Sequence, residues 1–193
     1  MFEFRTIAAH ALTVLVGQLA VMAFGVVDTV VSGRHSEAAL AALSVGSAIY
    51  ISVFVGLRGV LQALLPVWAE LHGARRHAGV GRSVRQSLYL WVCTSVAGIV
   101  ALLFPQPLLE WTQVPASMQG EVQRYLAVLA AALPLNLLFR IYGTLNQALG
   151  KPVLVTWLQA ASLVVKIPLS IWFAFGGLGL PALGVVGCAW ATL

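Results

Sequence analysis

Residues 7–32 read IAAHALTVLVGQLAVMAFGVVDTVVS, a run with one acidic residue, Asp28, and no lysine or arginine. A helix needs about 20 mostly apolar residues to cross the hydrocarbon core of a bilayer, and this run is longer. A cleavable signal peptide has a shorter apolar core, followed by a small-residue cleavage site. The stretch therefore predicts a first transmembrane helix that is retained in the protein.

Further apolar runs follow at 38–66, 84–104, 122–149 and 153–175, and a sixth run occupies residues 184–193. The connectors between the runs are short and contain Gly or Pro, which end helices. A helix of about 10 residues, such as the last run, covers only about half of the hydrocarbon thickness. We therefore predict an all-α polytopic membrane protein with five complete transmembrane helices and a truncated sixth.

The composition supports a membrane protein. Hydrophobic residues make up 60% of the 193 and charged residues 9%, whereas a soluble domain carries about 25% charged residues. The net charge of +5 does not indicate nucleic-acid binding, because the basic residues fall between apolar runs, as topology determinants do. Cys93 and Cys188 lie inside apolar runs, which is typical of buried thiols. The bilayer is thus the expected surrounding, and nucleic acid is not an expected partner.

The distribution of Lys and Arg predicts the orientation. If the amino terminus is cytoplasmic, the outer segments hold two basic residues, Arg34 and Arg124. The inner segments then hold the other six basic residues of the connectors and helix ends: Arg5, Arg75, Arg76, Arg82, Arg85 and Lys151. Cytoplasmic loops carry the excess of Lys and Arg. We therefore expect a cytoplasmic amino terminus.

The sequence contains no recognisable catalytic pattern. The four histidines are scattered over helix ends and connectors without the spacing of metal ligands. A phosphate-binding glycine loop is missing from the sequence, and so is a nucleophile–base pair. We expect neither an enzyme nor a bound metal or cofactor.

Asp28 is the first candidate functional residue. An ionisable side chain at membrane depth costs a few kcal/mol, so it needs a partner or a water-filled cavity. Asp28 lies only four residues before Ser32, so one interpretation places it at the lipid headgroups. Because four residues still rise about 6 Å, the other interpretation is a cavity carboxylate that binds a cation or a proton.

Lys166 is the second candidate, in the run VVKIPLS of the fifth span. Its long side chain could reach outward to the headgroups, or it could pair with Asp28, since neither charge is easily tolerated alone. Ser170 follows at i+4, on the same helix face and at nearly the depth of Asp28. Pro168 frees a backbone carbonyl nearby. Arg58 and Arg140 lie toward the inner ends of their helices, so the simplest interpretation is that they mark the membrane border.

The segment 25–33, GVVDTVVSG, resembles the end of the first helix in the MATE family (multidrug and toxic compound extrusion), in its NorM-like branch. The other similar stretches, in the order that the family has them, are AALAALSVG at 38–46, the end of the second span from Leu65-Pro66 to Gly73-Ala74-Arg75, Gly150-Lys151-Pro152, and PALGVVGCAWAT at 181–192. The resemblance runs over nearly all of residues 1–193.

The resemblance implies a twelve-helix transporter of two six-helix lobes, with residues 1–193 as the amino-terminal lobe and a carboxy-terminal lobe as its missing partner. It implies secondary active efflux across a bacterial inner membrane, in which small organic compounds, often cationic or amphipathic, leave against H⁺ or Na⁺. Asp28 would be the coupling or substrate-linked carboxylate. Thr192 would supply a cavity hydroxyl from the sixth helix.

The sequence departs from the family pattern at Lys166 and Ser170, where many members have Asn followed four residues later by Asn or Asp. We hypothesise that Lys166 neutralises Asp28 at rest and that protonation or substrate displaces it, which favours H⁺ as the coupling ion. The basic residues leave open a second function, a flippase for lipid-linked saccharides or precursors in the same superfamily. A membrane enzyme or a scaffold is the third alternative.

Overall fold

The computed structural model of the protein describes residues 2–106, 115–176 and 185–192. These residues contain helices and connections and no strand. In chain order the helices are α1 (Phe2–His35), α2 (Glu37–Gln62), α3 (Leu64–Gly73), α4 (His77–Leu103), α5 (Ala116–Ala148), α6 (Pro152–Phe175) and α7 (Val185–Trp190). The sixth predicted span corresponds to α7, and its predicted ends at 184 and 193 lie outside the described residues.

Five stretches of the described residues are long and apolar enough to cross a membrane: Leu15–Arg34, Ala39–Gly73, His77–Leu103, Met118–Ala148 and Val153–Phe175. Large apolar side chains face outward along them, among them Met22, Trp157 and Val164, each about 70% exposed. Such a surface suits lipid and not water. The predicted fold, an all-helical bundle with five spans, is confirmed.

The end of the second span and the start of the third span differ from the predicted bounds. The second span is broken at Ala63 and then continues as α3 to Gly73. The break lies there because Pro66, in the first turn of α3, has no N–H to donate and its ring opposes the carbonyl four residues earlier, at Gln62. Helix α4 begins at His77, whereas hydropathy placed its start at 84, because its first turns are polar and exposed.

The turn between α1 and α2 is short because Ser36 caps the second helix. Its backbone is extended, and its side-chain oxygen accepts a hydrogen bond of 3.0 Å from the N–H of Ala39. A hydroxyl at this position satisfies one of the free N–H groups of the first turn. The cap fixes the start of α2 directly beside the end of α1.

The apolar core lies along α5, which packs against α2, α3 and α4. Its fully buried side chains recur at helical spacing: Val122, Leu126, Leu129, Leu133 and Leu137. Gly46 of α2 makes room for this helix, because a Cβ there would lie 2.6 Å from the ring of Tyr125. Helix α1 packs mainly against α6, on the other side of the bundle, and this second contact positions the candidate site.

Candidate functional site

An ion pair joins α1 to α6 inside the bundle. The Nζ of Lys166 lies 2.8 Å from Oδ2 of Asp28. The Asp28 side chain is 13% exposed and the Lys166 side chain 7% exposed. Of the two alternatives for Lys166, the structure therefore has the pair with Asp28 and not the side chain that extends to the headgroups.

Two hydroxyl groups complete the polar cluster. The Lys166 ammonium donates a second hydrogen bond of 2.8 Å to Oγ1 of Thr192. The Ser170 hydroxyl donates to the other carboxylate oxygen of Asp28, at 3.4 Å. Thr192 in turn donates to the carbonyl of Cys188, at 2.9 Å. The four residues singled out in the sequence, Asp28, Lys166, Ser170 and Thr192, thus form one hydrogen-bonded set.

The geometry of α6 explains how two of these groups reach one carboxylate. Lys166 and Ser170 are four residues apart, so both point from the same face of the helix toward α1. Pro168 lies between them inside the helix, on the exposed side. Because proline cannot donate to the carbonyl four residues earlier, it leaves the Val164 carbonyl without its helical partner. The helix is therefore locally weakened at the level of the ion pair.

Sequence reasoning missed the aromatic side of the site. The Lys166 ammonium lies 5.0 Å from the ring centroid of Phe24, within the range of a cation–π contact. Phe24 precedes Asp28 by one helical turn, so its spacing from the carboxylate was the available signal. The ammonium is thus enclosed by a carboxylate, a hydroxyl and a ring.

A small contact region fixes the position of α7 and therefore the position of Thr192. Cys188 is fully buried with Val31 and Ala174, and its Sγ lies 3.7 Å from Oγ of Ser32. Gly187 lies against the backbone of α6, since a Cβ there would come within 2.5 Å of Phe173. Small residues permit such close approach of helices in membranes. The three helices α1, α6 and α7 therefore meet around the ion pair.

The electrostatics of the cluster are balanced. The carboxylate and the ammonium cancel in net charge, and the hydrogen bonds from Lys166 and Ser170 satisfy both carboxylate oxygens. Removing one partner from such a buried pair leaves an uncompensated charge, which typically costs about 3–5 kcal/mol. Among the described residues, no group of three His, Cys, Asp or Glu side chains could hold a metal ion. Oxygen atoms of Asp28, Ser170 and Thr192 are the cation ligands that the site offers.

Arg58 and Arg140 do not join this cluster. They line a separate cleft near the other end of the lobe, between α1, α2, α5 and α6. The Arg140 guanidinium lies 5.7 Å from the ring centroid of Phe54, so it packs on a neighbouring helix and does not simply extend to the membrane border. Asn136 and Asn146 lie on the same helix as Arg140, and each donates to a carbonyl of that helix one turn earlier.

Most of the sequence of this chain is similar to a known protein family and to proteins of known sequence. The pattern of the family described as MatE matches residues 14–172. The probable multidrug resistance protein NorM of Aromatoleum aromaticum is 40% identical over 95% of the chain. The multidrug resistance protein PmpM of Pseudomonas aeruginosa is 31% identical over 98% of the chain. The chain spans 40% of the length of each of these two relatives.

Solved structures show the same fold. A mutant of the Vibrio cholerae MATE transporter VcmN superposes with a TM-score of 0.84 at 22% sequence identity. The match covers 97% of the chain and 42% of that transporter. The lobe described above is thus similar to about two fifths of a larger transporter.

Proposed function

The chain belongs to the MatE family, and on that premise we propose that it forms the amino-terminal lobe of a multidrug efflux transporter. In this proposal small organic cations leave the cell as H⁺ enters, and a carboxy-terminal lobe supplies the other wall of the cavity. The names of the NorM and PmpM relatives support multidrug export. The multi-pass fold supports a membrane location, and we place it in the bacterial inner membrane with a cytoplasmic amino terminus.

The buried ion pair between Asp28 and Lys166 carries the proposal. A carboxylate with one ammonium partner can exchange that partner for another cation, which is either a proton or a positively charged substrate. Because one carboxylate cannot be protonated and paired with a substrate cation at once, the two occupants exclude each other. Mutual exclusion at one group is the coupling that antiport needs.

The cycle then follows from the charge at Asp28. At rest Lys166 neutralises the carboxylate at 2.8 Å. A proton that enters from outside binds Asp28, and the ammonium loses its ion-pair partner while it keeps the hydroxyl of Thr192. When the proton leaves to the cytoplasm, the carboxylate regains its charge and can pair with a substrate cation or with Lys166. Rocking of the two lobes would expose the site to each side in turn.

The position of Lys166 supports H⁺ over Na⁺. A sodium ion in this lobe would need the oxygen atoms of Asp28 and Thr192, and the ammonium already lies 2.8 Å from one oxygen of each. A proton needs only a carboxylate oxygen. The local weakening of α6 at Pro168 gives the lysine room to move when its partner is neutralised.

The direct test is export of a fluorescent organic cation, ethidium, by the complete two-lobed protein in energised inverted membrane vesicles. We expect transport to require an imposed pH difference and Asp28→Asn to abolish it. The matched control is Glu70→Gln, which also removes one carboxylate but at an exposed position of α3. Undiminished, pH-driven export by the Asp28→Asn variant would reject Asp28 as the coupling group.

A further inference from the structure

The second polar feature of the lobe is a cleft that the ion-pair site does not use. It is open on one side, and a volume of about 30 Å³ inside it is accessible to the centre of a water molecule. Its polar lining includes two guanidinium groups and four carboxamides, from Arg58, Arg140, Gln18, Gln62, Gln147 and Gln159. The carboxamide and guanidinium groups are hydrogen-bond donors, so the lining is rich in donors and positive charge.

The cleft has no negative charge of its own. No Asp or Glu is among its lining residues. Within the described part of the chain, neither Arg58 nor Arg140 has a carboxylate oxygen within 4.0 Å. Two like charges repel more strongly in a partly desolvated cleft than in water. An anion between the two guanidinium groups would remove this repulsion.

The cleft lies at a depth where phosphates occur. From Ala39, at the other end of the second span, to Arg58 the helix rises about 30 Å, which is the hydrocarbon thickness. The cleft also includes the last turns of α5 and the first turns of α6. Lys151 lies in the connector between them, so this is the end of the lobe with the basic connectors. Lipid phosphates and soluble anions can both reach this level.

We propose that the Arg58–Arg140 cleft binds a phosphate-bearing anion, with the two guanidinium groups on its oxygens and the carboxamides as additional donors. Guanidinium groups match phosphate geometry with paired hydrogen bonds, and charge-assisted bonds are the strong ones. Phe139 and Val155 in the lining offer apolar contact to the group that carries the phosphate. The phosphate belongs either to a lipid headgroup or to a small soluble compound. This site does not depend on the antiport reaction.

The test measures thermal unfolding of the purified protein in neutral detergent against three probes. Dioleoyl phosphatidylglycerol carries the phosphate on a lipid, glycerol 3-phosphate carries it in solution, and dioleoylglycerol is a lipid without phosphate. We expect a saturable rise of the unfolding temperature with phosphatidylglycerol and none with dioleoylglycerol. A similar saturable rise with glycerol 3-phosphate would identify a soluble anion as a ligand, and its absence would identify the lipid headgroup.

Variants assign the effect to the cleft. The double variant R58Q/R140Q should weaken the apparent affinity by about tenfold or more, since it replaces two charged donors by neutral amides, which form weaker hydrogen bonds. The matched double variant R82Q/R85Q removes the same charge from exposed positions of α4 and should bind like the unmodified protein.

A single variant tests the proposal in case the double variant does not fold. The single variant R58Q keeps the contact of Arg140 with Phe54, and we expect it to weaken binding by about fivefold. Three results would overturn the proposal: no saturable effect of either phosphate probe, unchanged affinity in folded R58Q and R58Q/R140Q, or equal loss in R82Q/R85Q.

Discussion

Asp28 and Lys166 are 138 residues apart in the sequence, and their side chains meet at 2.8 Å in the interior of the bundle. Each charge makes the other tolerable at membrane depth, because an isolated ionised group there is costly. The pair also ties the first span to the fifth. Any change at one residue therefore acts on the other, which makes the pair suitable for double-mutant analysis.

The first prediction concerns the stability of the pair. Asp28→Asn leaves the Lys166 ammonium buried without its counter-charge and should lower the free energy of unfolding by about 3–5 kcal/mol. The double variant D28N/K166N should recover a large part of this loss. Chemical unfolding in mixed micelles measures the unmodified protein, the single variants Asp28→Asn and Lys166→Asn, and the double variant. Glu70→Gln, at an exposed position, should change stability by less than about 0.5 kcal/mol. Additive effects of the two site substitutions would show that the residues are not coupled.

The second prediction concerns the coupling ion. Lys166→Asn removes the ammonium from the oxygen atoms of Asp28 and Thr192 and supplies a neutral oxygen instead. We expect ethidium export by this variant of the two-lobed protein to respond to an imposed Na⁺ gradient, which the unmodified protein should ignore. The control is Lys151→Asn, at an exposed connector position. If Lys166→Asn changes neither the ion dependence nor the export rate, Lys166 has no role in coupling.

The third prediction concerns the hydroxyl that binds the ammonium. Thr192→Val keeps the shape of the side chain and removes the acceptor of the 2.8 Å bond from Lys166. The free energy of unfolding in mixed micelles should fall by about 1.5–3 kcal/mol, because a hydrogen bond from a charged donor is lost. Thr192→Ser should retain most of the stability. Thr94→Val is the matched control, since its hydroxyl bonds only carbonyls of its own helix. Equal losses for both valine variants would argue against a specific partnership with Lys166.

The fourth prediction concerns the close approach of α7 to α6. Gly187→Ala would place a methyl group within 2.5 Å of the Phe173 backbone, so the helices must separate. Overpacking of this kind costs about 1–3 kcal/mol, and it should also weaken the bond between Thr192 and Lys166. Gly25→Ala meets nothing within 4 Å and should be neutral or slightly stabilising. The difference in unfolding free energy between the two variants is the measurement. Similar values would mean that the two helices do not pack closely in the membrane.

The fifth prediction concerns orientation. In a background without Cys93 and Cys188, a cysteine at Arg76 should react with a membrane-impermeant maleimide only when the cytoplasmic side is accessible. A cysteine at Arg34 should react from the opposite side. Both positions are exposed in the structure, so burial does not bias the comparison. Labelling of both cysteines from the same side, or of each from the side opposite to the one expected, would contradict a cytoplasmic amino terminus.

The sequence anticipated the candidate site better than it anticipated the helix ends. Asp28 and Lys166 were recognisable because ionisable residues are rare inside apolar runs, and Ser170 followed from helical spacing. The extra turns at the start of α4 were not recognisable from the sequence, because hydropathy detects apolar residues and those turns are polar. The cleft with Arg58 and Arg140 was also missed. Each arginine by itself fits a membrane border, and only their common cleft suggests a binding site.

The sequence by itself determined the helical membrane fold and the number of spans. These properties follow from local composition and from the fixed rise of a helix, so they need no knowledge of neighbours. Only the tertiary structure decided that the Lys166 ammonium points to Asp28 and donates its second hydrogen bond to Thr192. The contact of Phe24 with the ammonium was likewise decided there. These contacts depend on how α1, α6 and α7 rotate and approach one another. That arrangement is set by packing at small residues such as Gly187, far away in sequence from the carboxylate.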